Sequence, residues 1–217
     1  MNNGFIYPLA DKTVLFLKHV NLVELFKFVA KFYCEMKFKN ESKEAKTVQI
    51  ITHCNIAIDI FQVFKWGLLL FFWGCSYTGK SSEIIIWYFI ASNLFTYFYY
   101  HVWGSSHAQY QTRESMNRRF VNTMLAIAYY IASYAYLYEL HYSAQLKWAD
   151  GTVDSINAIY LSIANSFTLA YEGFAPLTQE IRVVLISQTI NTFLFFTIII
   201  GNSIPNHFKG DKDGLQK

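Results

Sequence analysis

The sequence predicts an all-α membrane protein. It has four transmembrane helices, one re-entrant helix-and-loop segment, and an N-terminal amphipathic helix at the membrane interface. Three observations predict this class. The 217 residues are 53% hydrophobic and 19% aromatic, with only three prolines, so little interrupts the apolar runs. Several of those runs approach the ~20 residues that cross a bilayer as helix. Lys and Arg are concentrated in alternate connections between the runs. Between the last two runs, a helical stretch from Val153 to about Phe167 is too short to cross, and an irregular loop with Pro176 follows at once. A soluble protein with an unusually aromatic core is the alternative.

Residues 1–49 form a cytoplasmic or interfacial segment. Val14–Tyr33 is apolar but carries Lys18, Glu24, Lys27 and Lys31, too many charges for a span. Leu22, Leu25, Phe26, Val29, Phe32 and Tyr33 recur at helical spacing, and Lys27 and Lys31 sit one turn apart on another side. Such a basic amphipathic helix either lies in the membrane interface or packs on the protein's own helix ends.

Residues 50–104 hold two accessory spans, Ile50–Trp73 and Glu83–Trp103. In the first, Asn55, Asp59 and Gln62 share one helical face and make an intramembrane polar seam, with Lys65 off that face. The seam is read as either a regulatory, ion-sensing feature or a structural bond to a neighbouring helix. If the span starts nearer Ile56, Asp59 sits near the inner interface and Lys65 snorkels. Asn93 is the mid-span amide of the second span and a partner for that polar face. The Tyr97–Trp103 run has the character of an interfacial belt.

Residues 120–204 contain the third span, Phe120–His141, the short helix and loop, and the fourth span, Ile181–Ile204. Ala128, Ala132 and Ala135 predict close helix packing along the third span. Asp154 or Ser155 is placed to cap the short helix. Residues 205–217 form a flexible cytoplasmic tail. The N-terminal segment and the 104–119 loop are basic, whereas the 74–82 and 142–153 links carry one Lys each. This predicts a multi-pass cell-membrane protein with both termini cytoplasmic, its re-entrant loop opening outside.

Several chemistries find no footing in the sequence. Cys34, Cys54 and Cys75 make no metal-ligand spacing or disulfide framework, and the six histidines are scattered. No phosphate loop or nucleophilic triad stands in a credible setting, so no enzyme is expected. No arginine-every-third voltage sensor is present. The basic, aromatic N-terminal tract suits a membrane surface, and no nucleic-acid partner is expected.

The loop itself reads Thr168-Leu169-Ala170-Tyr171-Glu172-Gly173-Phe174-Ala175-Pro176. It resembles the pore loop of the potassium-channel superfamily, T-V-G-Y-G-D and then, after two further residues, Pro. Thr168, Tyr171 and Pro176 match, and Leu169 replaces Val. Ala170 and Glu172 stand at the two glycines, and Gly173 stands at the Asp. The likeness runs from about Val121 to Pro205, as an outer helix, pore helix, filter and inner helix of the two-helix-plus-pore-loop type.

The resemblance implies a homotetrameric cation channel without a cofactor, in which Thr168, Leu169, Ala170, Tyr171 and Glu172 form the conduction filter. Asn191 and Thr192 of the inner helix are the cavity-lining candidates, with an inter-helix hydrogen bond as the other role for Asn191. An L-residue where the filter needs left-handed backbone costs roughly 1–2 kcal/mol. Side chains at 170 and 172 therefore imply weak potassium selectivity. K+ or Na+ is the expected permeant ion, and a ring of Glu172 carboxylates also admits Ca2+. Alternatively Glu172 turns outward to pair with Lys147 or Arg182. Membrane lipid is the other expected partner. The alternative function is a non-conducting, channel-like membrane protein that regulates or binds a partner, and weaker again is a transporter or enzyme working through the Asn55/Asp59/Gln62 face.

Overall fold

The computed structural model describes residues 4–39, 41–103, 113–148, 151–169 and 173–203. The chain is mostly helical. Among the described residues there are seven α-helices: α1 Ile6–Val20, α2 Leu22–Lys37, α3 Lys43–Gly74, α4 Lys80–Phe98, α5 Arg113–Tyr136, α6 Ser155–Ser166 and α7 Gln179–Ser203. Helices α4 and α5 each run on into a π-helical turn, Tyr99–Trp103 and Leu137–His141. Strands β1 (Leu146–Lys147) and β2 (Ala175–Pro176) form an antiparallel pair, Leu146 opposite Pro176. The tail expected from Pro205 lies outside the described residues.

Helix α3 and the stretch Phe120–His141 are long and apolar enough to cross a membrane. Ser42 starts α3 by accepting the Ala45 amide at 3.3 Å, so the helix begins seven residues before the apolar run expected from Ile50.

The N-terminal segment is two helices where the sequence predicts one. They meet at Asn21, which is in extended conformation and whose side chain accepts from the Val23 amide. Asn competes for backbone partners in this way, which suits it to a helix start and breaks a continuous helix. Helix α2 then lies antiparallel along the first half of α3. Cys34 Sγ reaches the Gln49 carbonyl, Cys54 Sγ reaches the Lys27 carbonyl, and the Phe26 and Phe61 rings stand 5.4 Å apart. Of the two roles open to this segment, packing on the protein's own helices is the one observed for α2.

Helix α5 is central. Tyr129, Tyr130, Tyr134, Tyr136 and Tyr138 are all fully buried on it. The small-residue contact expected at Ala128 is displaced, since Ala128 faces outward while Ala126 and Ala135 are buried. Large rings fill the space, and hydroxyls bridge the helices: Tyr136 of α5 to Ser82, Tyr138 of the following π turn to Gln188, and Tyr97 of α4 to the Asn122 carbonyl of α5. A buried Tyr needs such a partner for its O–H.

Candidate functional site

The short helix and the loop after it make a hairpin between α5 and α7. Asp154 starts α6 by accepting the Asn157 amide at 2.6 Å. Ser155, the other capping candidate, instead donates to Glu139 at 3.0 Å, and Glu139 also accepts from the Trp73 indole at 2.7 Å. A carboxylate at a helix N-terminus is favoured by the helix dipole. This fixes the start of α6 beside the Leu137–His141 turn.

The 12-residue helix then runs antiparallel to α5 for about 18 Å. Ser162 donates to the Ile131 carbonyl at 2.8 Å, two turns up α5 from Glu139. At the far end of the hairpin, the Phe167 ring packs at a tilt against Phe196 of α7, 5.8 Å between centres. The chain next comes back to the end it left. Phe174 packs on Trp148 and Tyr160, β2 pairs with β1, and the Leu177 amide bonds the Gln145 carbonyl. Thr178 and Glu180 hold the Gln145 side chain from both sides.

Gln188, fully buried on α7, binds this hairpin to both long helices. Its Nε2 donates to the Ser162 carbonyl, Ser162 Oγ and Ser166 Oγ at 2.7–3.0 Å. Its Oε1 accepts from Tyr138 at 2.6 Å and Asn165 at 2.8 Å. Tyr130 donates to its carbonyl at 2.5 Å. The role of Gln188 was not legible in the sequence beyond its being one polar residue of several on this helix.

At the turn, the Thr168 amide bonds the Asn165 carbonyl and the Leu169 amide bonds the Ala164 carbonyl at 2.8 Å. This is a Schellman C-cap, and it puts Thr168 in the left-handed region at φ 54°. Glycine usually holds that position, and a β-branched residue there is strained. Thr168 and Leu169 are both exposed. Ala170, Tyr171 and Glu172 lie outside the described residues. Gly173 follows at φ 84°, which its lack of a Cβ permits.

Comparison with family models, with curated proteins and with solved structures finds no match to this chain.

The inner-helix candidates sit differently from expectation. Asn191 donates to the Tyr134 hydroxyl at 3.3 Å, and Thr192 is buried with its hydroxyl on the Gln188 carbonyl. Both belong to the α5–α7 interface, where the inter-helix bond was the other role considered for Asn191. The exposed stripe of α7 carries Val183, Ile186, Ile190, Phe193 and Leu194 instead. Beside it, Asn165, Arg182, Leu185, Ile186, Thr189 and Ile190 line an open groove of about 380 Å³.

The polar seam is a separate place. Asp59 pairs with Arg118 of α5 at 2.8 Å, and Arg118 also donates to the Asn55 carbonyl at 2.7 Å. Of the roles considered for the seam, a bond to a neighbouring helix is what Asp59 makes. Gln62 is turned inward, its Oε1 buried without a hydrogen-bond partner. Lys65 does not snorkel. It is buried, donates to Asn93 Oδ1 at 2.8 Å, and sits 4.6 Å from the centre of the Tyr129 ring. Asn93 in turn donates to the Ala126 carbonyl at 3.1 Å. Asn93 thus meets α3 as the sequence suggested, but through Lys65.

Proposed function

We propose that the chain is one subunit of a membrane-embedded, tetrameric cation channel. Four copies of the α6 hairpin surround an axis, and Thr168–Glu172 carries permeation. The observation that carries the reading is the hairpin. A helix too short to cross descends between α5 and α7, and its return arm pairs at 175–176 with 146–147, at the end where it began. Irregular backbone at membrane depth is tolerated only where protein covers it or water reaches it. The exposure of Thr168 and Leu169 at the tip of α6 suits a water-filled axis.

In this reading α4 and α7 cross the bilayer beside α3 and α5, and the loop opens to the outside. The exposed apolar faces of α6 and α7, among them Ile156, Ile163, Ile186 and Ile190, supply surface for neighbouring copies and lipid. Rings of carbonyl and carboxylate oxygen replace a cation's hydration shell. Glu172 supplies the carboxylates, and K+ or Na+ passes with weak preference.

A second reading is favoured by one specific feature. Because Gln188, Asn191 and Thr192 face their own subunit, the α7 stripe left for a cavity is apolar, and an apolar constriction closes a pore by dewetting. A channel-like protein that does not conduct, and serves a partner instead, fits that stripe.

Recording from the purified protein in planar bilayers separates the two. The channel reading expects cation-selective currents whose reversal potential or conductance changes in Glu172→Gln. A silent protein that crosslinks as a tetramer supports the second reading, and a monomer overturns both.

A further inference from the structure

We propose that residues 4–37 form a second hairpin, which enters the bilayer from the basic end of the bundle and turns back at Asn21 without crossing. Its outer partner is lipid acyl chain. The proposal rests on the reading that α4 crosses the membrane.

The path of the chain is set by its contacts. Helix α1 starts beside the end of α4: Tyr7 stacks on Trp103 at 6.0 Å, and Asp11 accepts from the Trp103 indole. Helix α1 ends at Val20, whose carbonyl accepts from Tyr88. Helix α2 then retreats along α3, past Phe61 to Gln49. The tip is level with Ser92–Thr96, seven to eleven residues before Trp103, or about 10–16 Å along the helix.

The break at the tip is closed within the protein. Asn21 accepts from Ser92 at 2.9 Å and from the Val23 amide at 3.2 Å, and it donates to Thr96 at 2.7 Å. The Leu22 amide donates to Tyr88 at 3.0 Å, and the Tyr88 hydroxyl donates onward to the Val20 carbonyl at 3.1 Å. In water a helix break leaves these groups to solvent at little cost. In hydrocarbon such groups need protein partners, and the Asn21 side chain, the Val20 carbonyl and the Leu22 and Val23 amides have them.

The outer surface agrees. Phe16, Val20, Leu25, Phe28 and Phe32 are exposed around the tip, with Phe28 at 64% and Val20 at 53%. The cations nearest the tip are turned back toward the basic end. Lys18 lies over the Tyr99 ring at 5.0 Å, and Lys27 is held by Glu24 and Tyr100. Long side chains buried at depth carry their charge to the interface in this way. A helix lying flat in the interface, one of the two placements open from the sequence, would set Leu9, Val20 and Met36 at one depth.

The test is a spin-label depth profile in proteoliposomes. Single labels are placed at Leu9, Val20, Leu25, Phe28 and Met36, and at Ala91 on the exposed side of α4, with the three native cysteines replaced. Collision with oxygen reports acyl chain, and collision with a water-soluble nickel chelate reports solvent. The expected result is a V-shaped profile, with the highest oxygen-to-nickel ratio at Val20 and Leu25, falling toward Leu9 and Met36. Equal, interfacial ratios at all five positions overturn the hairpin. So do labels at Val20, Leu25 and Phe28 that neither reagent reaches, since a protein partner then covers the face. If Ala91 reads as acyl chain while Val20 reads as interface, the hairpin alone fails. If Ala91 reads as solvent, the crossing of α4 fails and takes the hairpin with it. None of these readouts depends on conduction.

Discussion

The Gln188 carboxamide holds both polar atoms of Ser162, its carbonyl at 3.0 Å and its hydroxyl at 2.7 Å. One α7 side chain thus binds the descending helix in mid-course and is itself bound by two tyrosines of α5. Replacing it strands several buried groups at once. Each buried polar group left unsatisfied costs about 1–3 kcal/mol, and networks exceed the sum of their pairs. Gln188→Leu is expected to lose about 3–5 kcal/mol of stability, read as an early thermal transition in detergent. Thr189→Val, whose hydroxyl reaches only its own helix at 3.2 Å, is the control and should change little.

Thr168 holds a conformation that its side chain opposes. Relief of left-handed strain is worth roughly 1–2 kcal/mol. Thr168→Gly is therefore expected to raise the melting temperature and to slow amide exchange at Leu169, which closes the Schellman cap. Gly173→Ala should do the reverse at φ 84°. A destabilised Thr168→Gly would mean that the hydroxyl matters more than the backbone. If the loop conducts, its strain belongs to function, and the stabilised variant should carry altered current.

Helix positions were legible because apolar run length and polar breaks act locally. A helix covers each expected apolar run, α3, α4 with its π turn, α5 with its π turn and α7, though α3 and α5 each begin seven residues earlier, and α6 stands where the short helix is expected. What the sequence hid depends on which way side chains turn. Asn191 and Thr192 are as polar as any cavity-lining residue, and only the Tyr134 hydroxyl and the Gln188 carbonyl show that they face inward. Val14–Tyr33 keeps helical periodicity through Asn21, so the break escapes a periodicity argument. Its other partners, Tyr88, Ser92 and Thr96, lie more than 60 residues away. The sequence places Lys65 off the face of the seam, snorkelling only if the span starts nearer Ile56, whereas in the structure a single amide and an aromatic face hold it.

That buried lysine makes an asymmetric prediction. A charge in a low-dielectric interior costs several kcal/mol, and a neutral amide offsets only part of it. Lys65→Met removes the charge and keeps the length of the stem. It is expected to leave stability level or higher, despite the lost bond to Asn93. Asn93→Leu leaves the buried amine without its acceptor and should cost about 1–3 kcal/mol. The double variant should recover most of that loss. A double-mutant cycle by thermal unfolding checks it, and equal losses in both single variants would contradict the account.

The Asp59–Arg118 pair ties α3 to α5 away from the loop. Asp59→Asn should leave the permeant-ion preference unchanged. Run beside Glu172→Gln in the same bilayer assay, it separates the seam from the loop. A changed current in Asp59→Asn alone would move the transport site to α3.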